Sequence, residues 1–330
     1  MEKGPGVHGF KGSGTRTPEP PNPGTLPLAI TMGDPAGIGP EVVLKVLSRM
    51  PRRRCRVFGS LDVLEREQRQ LGTKVDLSCI EDTAGRVGRF RMGRAQRNCG
   101  AAAFACLEAG VRELGACRVS ALVTAPVSKA ALRMAGFRWP GQTEFLAERL
   151  GARRHAMLAW TPRFKAVFVT IHLPLARVAR CITAPAVAEK ASLLDRFLRQ
   201  ASGLKHRAPR VGVFALNPHA AEFSLGEEKR IAAGITLARK AGVMADGPFP
   251  ADSVASRLGD FDGWVAMYHD QAMVPAKLLG RGAGVNVTLG LGRIRTSPLH
   301  GVAFDIAGKG IASPESMLAA IRLAQRLCRR

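Results

Sequence analysis

The chain has 330 residues, 46% of them hydrophobic, and a mean hydropathy of +0.01, enough for one large or two ordinary α/β domains with a substantial core. No apolar run reaches the length of a membrane span, the N-terminus lacks the apolar segment of a secretory signal, and the seven cysteines form no CxxC pair; these features argue against membrane, secreted and disulfide or cysteine-metal classes and point to the cytoplasm. A formal charge of +23 favours anionic partners in general, but 5% aromatics, a single tyrosine and arginines spread along the chain weigh against a nucleic-acid groove.

Residues 1–25 are rich in Gly, Pro, Ser, Thr and Lys and read as a disordered tail. A short strand over 26–31 runs into Gly33-Asp34-Pro35-Ala36-Gly37-Ile38-Gly39-Pro40-Glu41. The glycines permit a tight turn, and Pro40-Glu41 suits the first turn of a helix over 41–48. Its backbone N–H groups could face an anion. The turn has neither GxGxxG spacing nor a P-loop lysine, so a structural strand-to-helix turn fits equally. A strand over 56–59, a helix over 61–71 and a helix over 101–114 follow, the last with Phe104, Leu107 and Val111 at helical spacing. Residues 121–129 read as a buried strand ending in polar residues. This alternation predicts an α/β fold with a mostly parallel sheet and helices on both faces.

Gly141-Gln142-Thr143-Glu144 opens a helix through Leu150, with Thr143 the expected N-cap. An apolar strand over 165–171 ends at His172. A helix over 185–202 has Pro185 in its first turn and Gly203 past its end. A strand over 210–216 leads to Asn217-Pro218-His219; a polar loop begins at Glu222, a helix covers 227–241, and residues 246–253 read as a loop with two acids. The apolar run 264–268 stops at His269-Asp270-Gln271. Lys277 follows, then a strand over 285–289 carrying Asn286, a turn with Gly290 and Gly292, and Arg295. Ser313 as N-cap and Pro314 at the first helical position start a last helix through Cys328.

His172, His219 and His269 each end or closely follow an apolar strand. If those strands are parallel in one sheet, the three imidazoles emerge at one edge, and three histidines with an open fourth position make a catalytic divalent-metal site. Their spacing fits no short zinc motif, and a hydrogen-bonded strand-end histidine is the alternative for each. Asp252 and Asp270 are candidates to orient the imidazoles, although Asp270 could equally cap a turn. Lys277, Asn286 and Arg295 suit a small anion: Arg grips phosphate or carboxylate by two parallel bonds, and Lys acts as a mobile point charge.

Several stretches, in order, resemble the 4-hydroxythreonine-4-phosphate dehydrogenase family of vitamin B6 biosynthesis. They are ITMGDPAGIGPEV (30–42), VTAPVSKAAL (123–132), TIHLPL (170–175), ALNPHAAE (215–222), GPFPADSV (247–254), AMYHDQAMVPAKLL (266–279) and VNVTLGLGRIRTSP (285–298). Residues 300–314, HGVAFDIAGKGIASP, also look like the cofactor-side loop of isocitrate and isopropylmalate dehydrogenases. The resemblance implies a two-domain α/β/α subunit of that wider fold, with mostly parallel sheets and an interdomain cleft. It places a discontinuous first domain over 26–135 plus 290–330 and a second, metal-bearing domain over 136–289. It further implies a homodimer whose divalent metal (Zn, Mg or Co) is held by His172, His219 and His269, shared between the subunits. Substrate contacts would fall on Gln142, Thr143, Lys277, Asn286 and Arg295, and NAD or NADP would meet Asp305, Gly308 and Lys309.

Four positions depart from the family pattern: Gln142 stands where the family has His, and Ala221, Gly292 and Leu299 also differ. Gln hydrogen-bonds but carries no proton at neutral pH. The expected reaction is oxidation of 4-phosphooxy-L-threonine to 2-amino-3-oxo-4-phosphooxybutanoate, which decarboxylates to 3-amino-2-oxopropyl phosphate on the way to pyridoxine 5'-phosphate. Lys277 is the candidate base, on the expectation that it is desolvated among cations. The same chemistry on a four-carbon sugar-acid phosphate or a cyclic diol carboxylate is the alternative. A basic nucleic-acid-binding protein is the remote one.

Overall fold

The computed structural model describes residues 26–50, 54–202 and 207–329. The expected tail over 1–25 and the Gly203 helix stop lie outside them. The chain begins β1 (Leu28–Thr31), α1 (Gly39–Leu47), β2 (Cys55–Gly59), α2 (Leu61–Leu71), β3 (Ile80–Asp82), α3 (Arg97–Gly115), β4 (Leu122–Thr124) and α4 (Lys129–Met134). It continues α5 (Gln142–Arg149), β5 (Ala156–Trp160), β6 (Lys165–Phe168), α6 (Leu175–Cys181), α7 (Ala184–Ser202), β7 (Arg210–Phe214) and α8 (Glu227–Lys240). It closes with β8 (Met244–Phe249), α9 (Val254–Arg257), β9 (Gly263–Ala266), α10 (His269–Gly280), β10 (Val285–Leu289), β11 (Arg295–Pro298) and α11 (Glu315–Cys328).

One 11-stranded sheet joins them in the order β3-β2-β1-β4-β11-β10-β5-β6-β9-β7-β8. The five strands from β3 to β11 run parallel, as do the four from β6 to β8. Three antiparallel pairings in succession, β11–β10, β10–β5 and β5–β6, separate the groups, so the groups run in opposite directions. The apolar runs of β1 and β9 are buried along their whole length, as strands covered on both faces must be. The expected α/β class with a mostly parallel sheet is what the chain adopts. Among the described residues no helix is long and apolar enough to cross a membrane.

Several local readings differ from the structure. Residues 246–249, expected in a loop, belong to β8 (Met244–Phe249). β8 lies at the sheet's edge and pairs only with β7, so Pro248 is tolerated where a central strand would lose a ladder bond. Pro314 itself occupies the N-cap of α11; Ser313 precedes it, and its Oγ accepts from the Glu315 N–H at 3.4 Å. Gly141, not Thr143, is the N-cap of α5. Four backbone donors of the turn after β1 are spent internally. Asp34 N–H bonds the Pro126 carbonyl, Ala36 N–H the Asp34 Oδ1, Gly37 N–H the Asp34 carbonyl and Ile38 N–H the Val302 carbonyl. Buried Glu41 then receives both Lys45 Nζ and the Ala312 N–H at 2.7 Å, tying the turn to the loop before α11.

Candidate active site

Side chains alternate across a strand, so residues two apart share a face. Asn286 and Thr288 on β10 face the same way, opposite Ser297 and beside Arg295 on β11. Thr124 at the end of β4 joins them through Arg295. Thr124, Asn286, Arg295 and Ser297 of this strip floor a cavity of about 830 Å³. The cavity runs from Lys129 and the first turn of α5, across Asn286 and Arg295, to His172 beyond β6 and His269 at the start of α10. His300 and Gly301 form another part of its rim.

Arg295 is 2% exposed. Its Nη1 donates to Thr288 Oγ1 at 3.0 Å, and its Nη2 donates to Thr124 Oγ1 at 2.6 Å and to Gln142 Oε1 at 3.1 Å. Burial lowers its pKa to about 10, and Glu144 opposes the shift. It therefore remains a cation at neutral pH. Its Nε has no partner among the described residues, nor has the buried Asn286 Oδ1. An arginine has only donors, so it fixes the Gln142 amide with oxygen inward and leaves the NH₂ for another acceptor.

The three histidines follow β6, β7 and β9, which are adjacent and parallel, so their carboxyl ends share one edge. Two side chains align those ends. Thr170 Oγ1 donates to the Met267 carbonyl at 2.7 Å. Gln271 accepts the Met267 N–H and donates to the Ala215 carbonyl, each at 2.7 Å. His172 and His269 come together, with ring centroids 5.7 Å apart, and His269 stacks on Phe168 at 6.0 Å. Asp270 Oδ1 lies 2.6 Å from His269 Nδ1, as expected of an orienting carboxylate. Burial lowers the His172 pKa, followed by the charges of Lys129 and His269, against an opposing contribution from Glu144.

His219 stands apart. Its side chain is 63% exposed and does not line the cavity, and its Nδ1 lies 3.1 Å from Glu222 Oε2. Glu228 holds the preceding turn by accepting the N–H groups of Leu216 and Asn217. Among the described residues of the single chain, no three His, Cys, Asp or Glu side chains gather as a metal-ligand set. Asp252 is exposed and accepts from the Ser253 N–H of its own turn; among the described residues no hydrogen bond joins it to a histidine. Thr143 and Lys277 line the cavity. Lys277 is exposed in the single chain, so the desolvation expected of it is not found there. Asp305, Gly308 and Lys309 lie outside the cavity lining. The Gly308 carbonyl accepts from Gln70 Nε2, and the Lys309 N–H donates to the Ile306 carbonyl at 3.2 Å, closing a turn.

Sequence reasoning assigned no role to Lys129, Arg133, Glu144, Thr124 or Ser297, all of which line the cavity. Nor did it find Glu222 beside His219. Ser297 and Thr288 were accessible from the period-2 pattern that starts at Arg295 and Asn286. Lys129 and Glu144 carry no such local signal.

The profile of the family described as pyridoxal phosphate biosynthetic protein PdxA matches residues 43–324. A 4-hydroxythreonine-4-phosphate dehydrogenase from Beijerinckia indica is 41% identical, with 91% of this chain and 95% of that protein covered. A D-threonate 4-phosphate dehydrogenase from Salmonella typhimurium is 38% identical, with 92% and 99% covered. The crystal structure of 4-hydroxythreonine-4-phosphate dehydrogenase from Klebsiella pneumoniae superposes with a TM-score of 0.80 at 34% identity, covering 92% of this chain and all of that one.

Proposed function

The chain belongs to the family of the pyridoxal phosphate biosynthetic protein PdxA, and we propose that it oxidises 4-phosphooxy-L-threonine in a reaction that needs a nicotinamide dinucleotide and a divalent metal. The observation that carries this reading is one cavity holding a buried, multiply bonded Arg295 at one place and the neighbouring His172 and His269 at another. Arg295 with Gln142, Thr143 and Asn286 would hold the phosphate.

The donor set fits a divalent cation in a dimer. His269 and His219 each have a carboxylate at Nδ1, which leaves Nε2 free to ligate. His172 and His269 of one chain would be completed by the exposed His219 of a second copy. When bound, the cation would supply positive charge at the C3 oxygen of the substrate, and NAD or NADP would supply the hydride acceptor. Within the chain, Lys277 Nζ would take the C3 hydroxyl proton, and Arg295 would keep the phosphate end fixed while the carboxylate leaves as CO₂. Asp305, Gly308 and Lys309 remain the proposed cofactor contacts. A location in the cytoplasm accords with this chemistry.

The test is NAD(P)H production from 4-phosphooxy-L-threonine by wild type and His172→Ala, with and without a chelator. Loss of a ligand should lower kcat/KM by at least about 100-fold; near-normal turnover in the variant would rule out the metal assignment. Gln142, together with a D-threonate 4-phosphate dehydrogenase among similar relatives, favours a second reading in which the substrate carries a hydroxyl in place of the amino group. D-threonate 4-phosphate in the same assay separates the two.

A further inference from the structure

Lys129 opens α4, where Ser128 Oγ caps the helix by accepting the Ala131 N–H at 3.2 Å. Its side chain lines the cavity. Among the described residues it has no carboxylate within ion-pair distance, although many other cations of this chain are paired. What lies against it is the start of α5. A Cβ placed on Gly141 would be 3.6 Å from Lys129 Cε, 3.7 Å from its Nζ and 3.1 Å from Glu144 Oε2. The ammonium thus sits against the N-cap residue of α5, whose backbone carries no side chain to hold it off. No side chain caps that helix, so its first-turn N–H groups have only the cavity to address. Arg295 reaches the same first turn: it is buried, bonded to Gln142 there, and its Nε is unpartnered among the described residues.

Three kinds of donor therefore converge: a point charge, a helix N-terminus and a guanidinium. A carboxylate offers two oxygens in one plane and a single charge to three such donors. A phosphate monoester has three terminal oxygens and at neutral pH carries most of two charges. We propose that Lys129 is a phosphate-binding residue, its ammonium completing with the α5 N-terminus and Arg295 a cradle for the substrate's phosphate; this rests on the phosphorylated-substrate reading above. Glu144, the one carboxylate among the residues lining the cavity, is then the cradle's own countercharge, and it opposes an incoming anion.

The experiment is calorimetric binding of inorganic phosphate to the purified full chain as wild type, Lys129→Met and Glu144→Gln, with thermal melts as the folding control. Methionine keeps the stem that packs on Gly141 and removes only the charge. Lys129→Met should weaken phosphate binding by about 10- to 100-fold, as expected for a hydrogen bond to a charged group. Glu144→Gln should tighten it. With 4-phosphooxy-L-threonine, Lys129→Met should raise KM and leave kcat within a few-fold.

Unchanged phosphate affinity in Lys129→Met overturns the inference while leaving the enzyme's reading intact. So does equal weakening by both variants, which would mark a general disturbance, or a fall in kcat at constant KM, which would place Lys129 in the chemistry. Phosphate binding that is lost in Lys129→Met, without turnover of 4-phosphooxy-L-threonine, sustains the cradle and removes that substrate. Wild type that binds no phosphate overturns the cradle, and turnover of 4-phosphooxy-L-threonine then decides the enzyme's reading by itself.

Discussion

Asp34 is fully buried in the turn after β1, and its carboxyl is expensive to ionise. Burial raises its pKa from 3.8 to about 6, against the lowering effect of hydrogen bonds from the Ala36 and Ser128 backbones. Oδ1 accepts the Ala36 N–H at 2.9 Å, and Oδ2 has no partner among the described residues. Because the folded-state pKa lies above the unfolded one, the group favours the fold only while protonated. Its contribution is complete below the unfolded value of 3.8 and is lost as pH rises through about 6. A shift of roughly two units, at about 1.4 kcal/mol each, makes the ionised side chain cost about 3 kcal/mol at neutral pH.

Asp34→Asn keeps the Oδ1 acceptor and replaces an unpartnered charged oxygen with an unpartnered amide. Most of that cost should disappear, stabilising the variant by about 2–3 kcal/mol above about pH 7. Thermal and urea melts of both proteins from about pH 5 to about pH 8 would show the gap. It should be widest at the alkaline end and roughly halved near pH 5. A variant less stable than wild type at neutral pH, or a gap independent of pH, would refute the assignment of the strain to a buried charge.

Glu113 carries the opposite sign. Arg118 and then Arg56 hold its pKa at about 2 against the effect of burial, so its stabilisation is present above the unfolded value of 4.5 and is lost as pH falls toward 2. Glu113→Gln should cost about 1–2 kcal/mol at pH 7, discounted because Arg118 is half exposed, with the difference shrinking in acid melts. An equal loss at all pH values would show packing rather than charge. Gly100→Ala should also destabilise, by about 1–3 kcal/mol or more, since its Cβ would fall 1.9 Å from the Ala131 carbonyl oxygen of α4, a backbone atom that cannot swing aside. A Gly100→Ala melting point equal to wild type would show that α3 and α4 separate freely.

Much of the fold was legible locally. α2 spans residues 61–71 as expected, and α7 begins beside Pro185 as expected of a first-turn proline. The histidines lie where apolar strands give out, and Asn286 and Arg295 interrupt apolar patterns because they face a cavity instead of the core. Such features are local, since periodicity records which side of an element is buried. Tertiary structure alone decided the rest. Three antiparallel pairings reverse the sheet at its centre, and an edge position admits the proline-bearing β8. Arg295 reaches Gln142 across 153 residues of sequence, Lys129 comes to rest on Gly141, and His219 stays outward while His172 and His269 meet. None of these has a local signature, because strand partners and facing side chains are chosen by long-range packing, where the burial of whole elements outweighs any one residue's preference.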